Sequence, residues 1–128
     1  MELSETVKGM SVLLIDDDPM VRDSMQIYFT GQGVNFNAAA SAEEGLKDLE
    51  LRTPEIIIID YMLPGSDGLD FLKTIQLSHA DAIKILITAY DSRKVEAEAI
   101  KSGAKGYIEK PLTIEKLQEC LIPLLEVG

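Results

Sequence analysis

Two short apolar runs close on carboxylates: Ser11-Val-Leu-Leu-Ile leads into Asp16-Asp17-Asp18, and Glu55-Ile-Ile-Ile-Ile leads into Asp60. A third run ends on the hydroxyl of Thr88, and a fourth is followed by the ammonium of Lys110. Carboxylates brought close together disfavour joint ionisation, and a hard divalent cation relieves that conflict. Mg²⁺ suits the task, because it prefers oxygen ligands and typically takes one or two carboxylates together with waters and a phosphate. A carboxylate nucleophile, a cation site, a hydroxyl donor and a lysine are the parts needed to form and hold an acyl phosphate. Each residue alone has a plainer role: Asp60 as a loop cap, Thr88 as a strand-end hydroxyl, Lys110 as a solvated lysine. The chemistry therefore requires a fold that gathers them.

Successive isoleucines at 56–59 with no polar alternation read as a strand covered on both faces, the habit of parallel sheets between helices. Asp60 then lies at the carboxyl end of a buried strand, where ligands of open α/β sheets bind. Before it, Asp18-Pro19 starts a helix, with Asp as cap and Pro in the first helical position, and Val21, Met25 and Tyr28 follow on one side until Gly31 or Gly33. Residues 34–38 alternate like an edge strand. Ser41-Ala-Glu-Glu44 is a capping box, with Ala42, Gly45, Leu46 and Leu49 as an inner face. Leu69, Leu72 and Ile75 define a third helix, Ile83-Lys-Ile-Leu-Ile-Thr88 a fourth strand, and residues 105–109 a fifth. Asp91 or Ser92 caps a fourth helix carrying Val95, Ala99 and Ile100, stopped by Gly103. Thr113 caps the last helix, which points Ile114, Leu117 and Leu121 inward and ends or kinks near Pro123. Residues 1–9 read as a loose tail.

Five strands alternating with five helices imply a parallel sheet with right-handed crossovers and helices on both faces. The forms that fit are the flavodoxin-like order 2-1-3-4-5 and a Rossmann-like half. No glycine-rich phosphate loop follows the first strand, which counts against nucleotide binding. In the flavodoxin-like order the first and third strands are neighbours, so Asp16, Asp17 and Asp60 converge in one crevice.

A chain of 128 residues supports one domain with a single core. Its net charge of −10 argues against direct binding to a nucleic-acid backbone or an anionic membrane, and favours cations or basic partner surfaces. Cys120 is the only cysteine, which leaves no disulfide framework and no cysteine metal cage. No apolar segment is long enough to span a bilayer, and Met1-Glu-Leu-Ser-Glu-Thr lacks the start of a signal peptide; the expected location is the cytoplasm. Asp18 and Asp67 read as caps, His79 as a surface residue, and the mixed charges between Arg93 and Lys101 as a solvated helix face.

The segments Leu-Leu-Ile-Asp-Asp-Asp-Pro-Met-Val-Arg, Ile-Ile-Asp-Tyr-Met-Leu-Pro-Gly-Ser-Asp-Gly, Ile-Thr-Ala-Tyr and Gly-Tyr-Ile-Glu-Lys-Pro, in this order and spacing, resemble the signatures of response-regulator receiver domains of two-component signalling. The resemblance covers residues 10–126 and implies a single flavodoxin-like (βα)5 domain of order 2-1-3-4-5. It further implies that Asp60 accepts a phosphoryl group from a phosphohistidine on a sensor histidine kinase or a histidine phosphotransfer protein. Asp16, Asp17, Asp60 and the main-chain carbonyl of Met62 match the Mg²⁺ ligands, Thr88 and Lys110 match the groups that bind the phosphoryl oxygens, and Lys110-Pro111 matches a bond that is typically cis. Thr88 and Tyr107 match the pair that couples the site to the surface of the fourth helix, fifth strand and fifth helix. Such a domain is a switch whose own catalysis is self-phosphorylation and autodephosphorylation, and it acts on a downstream effector or output domain, with a phosphorylation-dependent homodimer as one form of response. Two other classes fit parts of the pattern. A Mg²⁺-dependent phosphatase with an aspartyl nucleophile needs a general acid two residues after Asp60, where Met62 stands, and an interaction module without phosphorylation leaves the acidic cluster incidental.

Overall fold

In the computed structural model, which describes residues 3–89 and 92–126, the isoleucine run becomes β3 (Ile56–Asp60), the middle strand of a five-stranded sheet. The other strands are β1 (Ser11–Ile15), β2 (Asn35–Ala39), β6 (Ile83–Thr88) and β7 (Gly106–Glu109), all parallel, in the order β2-β1-β3-β6-β7. This is the flavodoxin-like order 2-1-3-4-5 read from the sequence. A small antiparallel pair, β4 (Met62–Leu63) and β5 (Ser66–Asp67), follows β3, and Gly65 between them adopts φ 74°, a conformation that favours glycine.

The two faces of the sheet carry separate cores. Ile56 and Ile58 join Val12, Leu14, Ile85 and Ile87 beneath α2 (Pro19–Gly31) and α6 (Ile114–Glu126), which contribute Met25, Phe29, Leu117 and Leu121. Ile57 and Ile59 join Leu13, Ile15 and Leu86 beneath α3 (Ala42–Leu51), α4 (Gly68–Ile75) and α5 (Arg93–Lys101), which bring Leu49, Phe71, Leu72 and Ala99. Alternate isoleucines of one strand therefore feed opposite cores, which is why the run shows no polar period.

The helices start where their short-range chemistry dictates. Asp18 Oδ1 accepts from the Met20 N–H at 2.9 Å, Ser41 Oγ from the Glu44 N–H at 3.2 Å, and Thr113 Oγ1 from the Lys116 N–H at 3.1 Å. Ser92 caps α5, its side chain accepting from the Val95 N–H; Asp91, the other candidate, lies outside the described residues, as does Tyr90.

Several packing expectations change. Leu3–Val7 form a short helix, α1, where a loose tail was expected, because Val7 is apolar and fully buried in the core beneath α2 and α6. Leu46, Ile100 and Ile114 are exposed, not inward, Ile100 at 60%. Each lies at the margin of a line set by smaller or better-placed neighbours: Ala42, Gly45 and Leu49 in α3, Val95 and Ala99 in α5, Leu117 and Leu121 in α6. Phe71 takes a core place that the spacing of Leu69, Leu72 and Ile75 did not reveal. The last helix continues through Pro123 to Glu126.

Candidate functional site

Each chemistry-bearing residue sits at, or just past, the carboxyl end of a strand in the one sheet. Asp16 follows β1, its N–H donating to the Ala39 carbonyl at 3.0 Å, while Asp60 closes β3 and Thr88 closes β6. Lys110 follows β7, its N–H donating to the Thr88 carbonyl at 2.7 Å, and its peptide bond to Pro111 is cis. The register sets these ends side by side, with Ile15 opposite Ile59, Asp60 opposite Ile87 and Thr88 opposite Glu109.

Asp16, Asp17 and Asp60 each bring a carboxylate oxygen within 4.8 Å of the others. Asp16 and Asp60 are each 1% exposed whereas Asp17 is open to solvent, so the cluster has a buried floor and a wet rim. Asp60 is engaged on both oxygens: Oδ1 accepts from the Met62 N–H at 3.2 Å and Oδ2 from Lys110 Nζ at 2.8 Å. Asp16 is not. Its Oδ1 accepts from the Asp18 N–H at 2.9 Å, but its Oδ2 is buried with no hydrogen-bond partner. An orphaned buried carboxylate oxygen is costly, the more so among like charges.

The electrostatics follow. Burial, reinforced by the charges of Asp60 and Asp17, pushes the Asp16 carboxyl up to about 6, against the opposing pull of the Asp18 N–H and Lys110. Burial alone would lower the Lys110 ammonium, but the hydrogen bond and charge of Asp60, with Asp16 and Asp17 behind it, hold it above its ordinary value. A hard cation fits this donor set on the structure's own terms: it would supply the partner that Asp16 Oδ2 lacks, and the open Asp17 side leaves room for water ligands.

Met62 presents its side chain at the mouth, 57% exposed, and turns its N–H to Asp60. Thr88 is fully buried at its strand end; Tyr107, half-buried on β7 opposite Leu86, packs against the core beneath α3, α4 and α5. Asp67 caps α4, Oδ1 accepting from the Asp70 N–H at 2.8 Å, and His79 lies in the link before β6, at the opposite end of the sheet.

Two contributors escaped the sequence reading of roles. Gly68, first in α4, packs behind the acceptor strand: a Cβ there would stand 2.6 Å from the Asp60 carbonyl and 2.8 Å from Leu86 Cδ1, so only glycine fits. Its signal was the close of the Pro-Gly-Ser-Asp-Gly loop. Arg22 Nη1 donates to the Asp16 carbonyl at 2.9 Å. On the sequence it reads as a helix-surface arginine, and only its place in the Asp-Asp-Asp-Pro-Met-Val-Arg segment hinted at more.

Comparison with known proteins adds a direct likeness. The family model described as the response regulator receiver domain matches residues 12–122. Transcriptional regulatory protein AfsQ1 of Streptomyces coelicolor is 38% identical over 102 residues, 80% of this chain and 45% of that protein. The probable C4-dicarboxylate response regulator DctR of Bacillus subtilis is 32% identical over 116 residues, 89% of this chain and 51% of that one. The chain thus spans about half the length of these relatives. Among solved structures, a CheY-like receiver domain protein from Methanospirillum hungatei superposes with a TM-score of 0.87 at 28% identity, covering 94% of this chain and 96% of the other. The response regulator TrrA from Thermotoga maritima, in complex with Mg²⁺–BeF, superposes with a TM-score of 0.78 at 27% identity, covering 91% and 98%.

Proposed function

Because this chain belongs to the response regulator receiver domain family of two-component signalling, we propose that its own Asp60 is the phosphoryl acceptor of a phosphorelay. The observation that carries this reading is the Asp60 carboxylate itself, buried at a strand end, held by Lys110 Nζ and the Met62 N–H, and set against Asp16 and Asp17. The donor is a phosphohistidine on a sensor histidine kinase or histidine phosphotransfer protein. An Asp60 oxygen attacks its phosphorus, the P–N bond breaks as the P–O bond forms, and the imidazole nitrogen leaves with the electron pair. Lys110 then pairs with the transferred group, and the Thr88 hydroxyl bonds one of its oxygens. Asp16, Asp17, Asp60 and the Met62 carbonyl would hold Mg²⁺, which when bound offsets the negative charge gathered by the carboxylates and the phosphoryl group. The chain's own catalysis is confined to gaining and losing this group. The rival aspartyl-nucleophile phosphatase has no acid to use, since position 62 is a methionine.

The signal leaves through Thr88 and Tyr107. Drawn towards the phosphoryl group, Thr88 makes room for Tyr107 to turn inward, which reshapes the α5, β7 and α6 surface, a two-state element biased by a local charge change. A downstream effector or output domain reads that surface, in some responses through a phosphorylation-dependent homodimer, and the reading places these events in the cytoplasm. The net charge of −10 assigns any nucleic-acid contact to the output and not to this domain.

Intact mass after incubation with Mg²⁺ and acetyl phosphate tests the acceptor. One phosphoryl adduct that requires Mg²⁺ and is absent from Asp60→Asn is expected; an adduct that persists in the variant sinks the assignment. For the switch, Tyr107→Ala is expected to keep the adduct and lose the phosphorylation-dependent change in amide hydrogen exchange across α5 and α6. An unchanged exchange response in that variant removes Tyr107 from the pathway.

A further inference from the structure

We propose that Arg22 is a positioning residue for the cation site, an inference that rests on the reading of Asp16 and Asp17 as ligands. Asp16 leaves β1 under three restraints. Its N–H donates to the Ala39 carbonyl at 3.0 Å, its Oδ1 accepts from the Asp18 N–H at 2.9 Å, and its carbonyl accepts from Arg22 Nη1 at 2.9 Å. The third restraint differs in kind. The Asp16 carbonyl and the Asp17 N–H belong to one rigid peptide plane, so a donor that fixes the carbonyl also fixes the direction in which Asp17 departs. Without that bond the plane can rotate, and the rim carboxylate of Asp17 shifts against the buried carboxylate of Asp16.

Arg22 is well placed to act as a clamp. It sits in the second turn of α2, half-buried, with its own N–H donating to the Asp18 carbonyl at 3.1 Å. The helix that Asp18 caps thus reaches back over the cap to grip the carbonyl of Asp16, two residues before it. Among the described residues Arg22 forms no ion pair, although three aspartates stand just before it in sequence. Its guanidinium is committed to a carbonyl, by a charge-assisted bond stronger than a neutral one, and the carboxylate oxygens remain available for a cation.

Calorimetric titration with Mg²⁺ alone tests this on the wild type, Arg22→Ala, Arg22→Lys and Asp17→Asn, with the melting temperature of each measured in chelator. Arg22→Ala is expected to raise the Mg²⁺ Kd by about tenfold or more, as for residues that orient metal ligands from behind. Arg22→Lys, which keeps one donor, should restore most of the affinity, and neither variant should lower the melting temperature in chelator. Equal Mg²⁺ affinity in the wild type and Arg22→Ala overturns the positioning role and leaves the cation site standing. A wild type that binds Mg²⁺ no better than Asp17→Asn overturns the site and this inference together. A melting temperature that falls in chelator along with affinity, with no rescue by lysine, assigns Arg22 to helix stability and also overturns it.

Discussion

Both ends of the sheet bury charge, and they treat it differently. At the amino end Lys84, on β6, is 2% exposed, yet its Nζ donates to the His79 carbonyl at 2.7 Å. Nearby, Gln76 Nε2 donates to the Lys101 carbonyl at 3.2 Å, tying the end of α4 to the end of α5. Burial lowers the Lys84 ammonium, helped by the charge of Lys105 and opposed by Asp81. At the carboxyl end three aspartates meet a single lysine, and among the described residues Asp16 Oδ2 is the one buried side-chain nitrogen or oxygen without a hydrogen-bond partner. The amino end finds its partner within the chain, whereas the carboxyl end keeps an unbalanced negative charge. A buried charge by itself is therefore a poor marker of function; an incomplete set of partners is the better one.

The sharpest way to break this comparison is to remove one lysine from each end. Lys110→Ala deletes the donor to Asp60 Oδ2, and phosphorylation by acetyl phosphate should slow by about a hundredfold or more, the usual result of losing a preorganised charge at a transferring group. Lys110→Arg should recover only part of the rate, because a planar fork does not replace a compact ammonium. An intact-mass time course measures both, and an unchanged rate in Lys110→Ala removes that lysine from the chemistry. Lys84→Ala should do the opposite. It removes the charged donor to the His79 carbonyl, which keeps only the Ala82 N–H at 3.2 Å, and should cost about 1–3 kcal/mol in urea unfolding, with the rate of adduct formation intact. If Lys84→Ala slows phosphorylation as Lys110→Ala does, the two ends are coupled and the contrast between them fails.

The carboxyl end was also the more legible in the sequence, for physical reasons. An isoleucine run with no polar period is covered on both faces, so the position of Asp60 at a buried strand end followed from composition alone. The caps at Asp18, Ser41 and Thr113 were legible because a cap is settled within three residues. Lys84 and Arg22 were not, since their partners are carbonyls five and six residues away whose nearness depends on how the chain turns at a strand end. A buried lysine inside Ile-Lys-Ile-Leu looks like a polar interruption, and Arg22 looks like a solvated helix base. The faces of α3, α5 and α6 were misjudged at Leu46, Ile100 and Ile114 because near-helical spacing cannot separate the buried line from its margin. Val7 was missed because a single i, i+4 pair, Leu3 and Val7, in a short polar segment is too brief a period to read as a helix.

The smallest effect lies in acid stability, where the unbalanced oxygen of Asp16 should leave a trace. Its carboxyl stands at about 6 in the folded protein against an ordinary 3.8. Between those values the folded state holds more of the Asp16 proton than the unfolded chain does, so this residue's contribution to stability is present below about pH 4 and is lost as the pH rises through about 6. Other carboxylates titrate in the same range, and the informative quantity is therefore the difference in melting temperature between the wild type and Asp16→Asn, which has no proton to lose there. In chelator, the variant should gain on the wild type as the pH rises from about 4 to about 6, and the gap should then level off. Millimolar Mg²⁺ should narrow the gap at the upper end, because a cation that binds the folded wild type stabilises it by mass action once the carboxylate is ionised. A gap independent of pH and of Mg²⁺ would mean that the Asp16 oxygen finds its partner within the chain after all, and that the carboxyl end is as self-sufficient as the end built around Lys84.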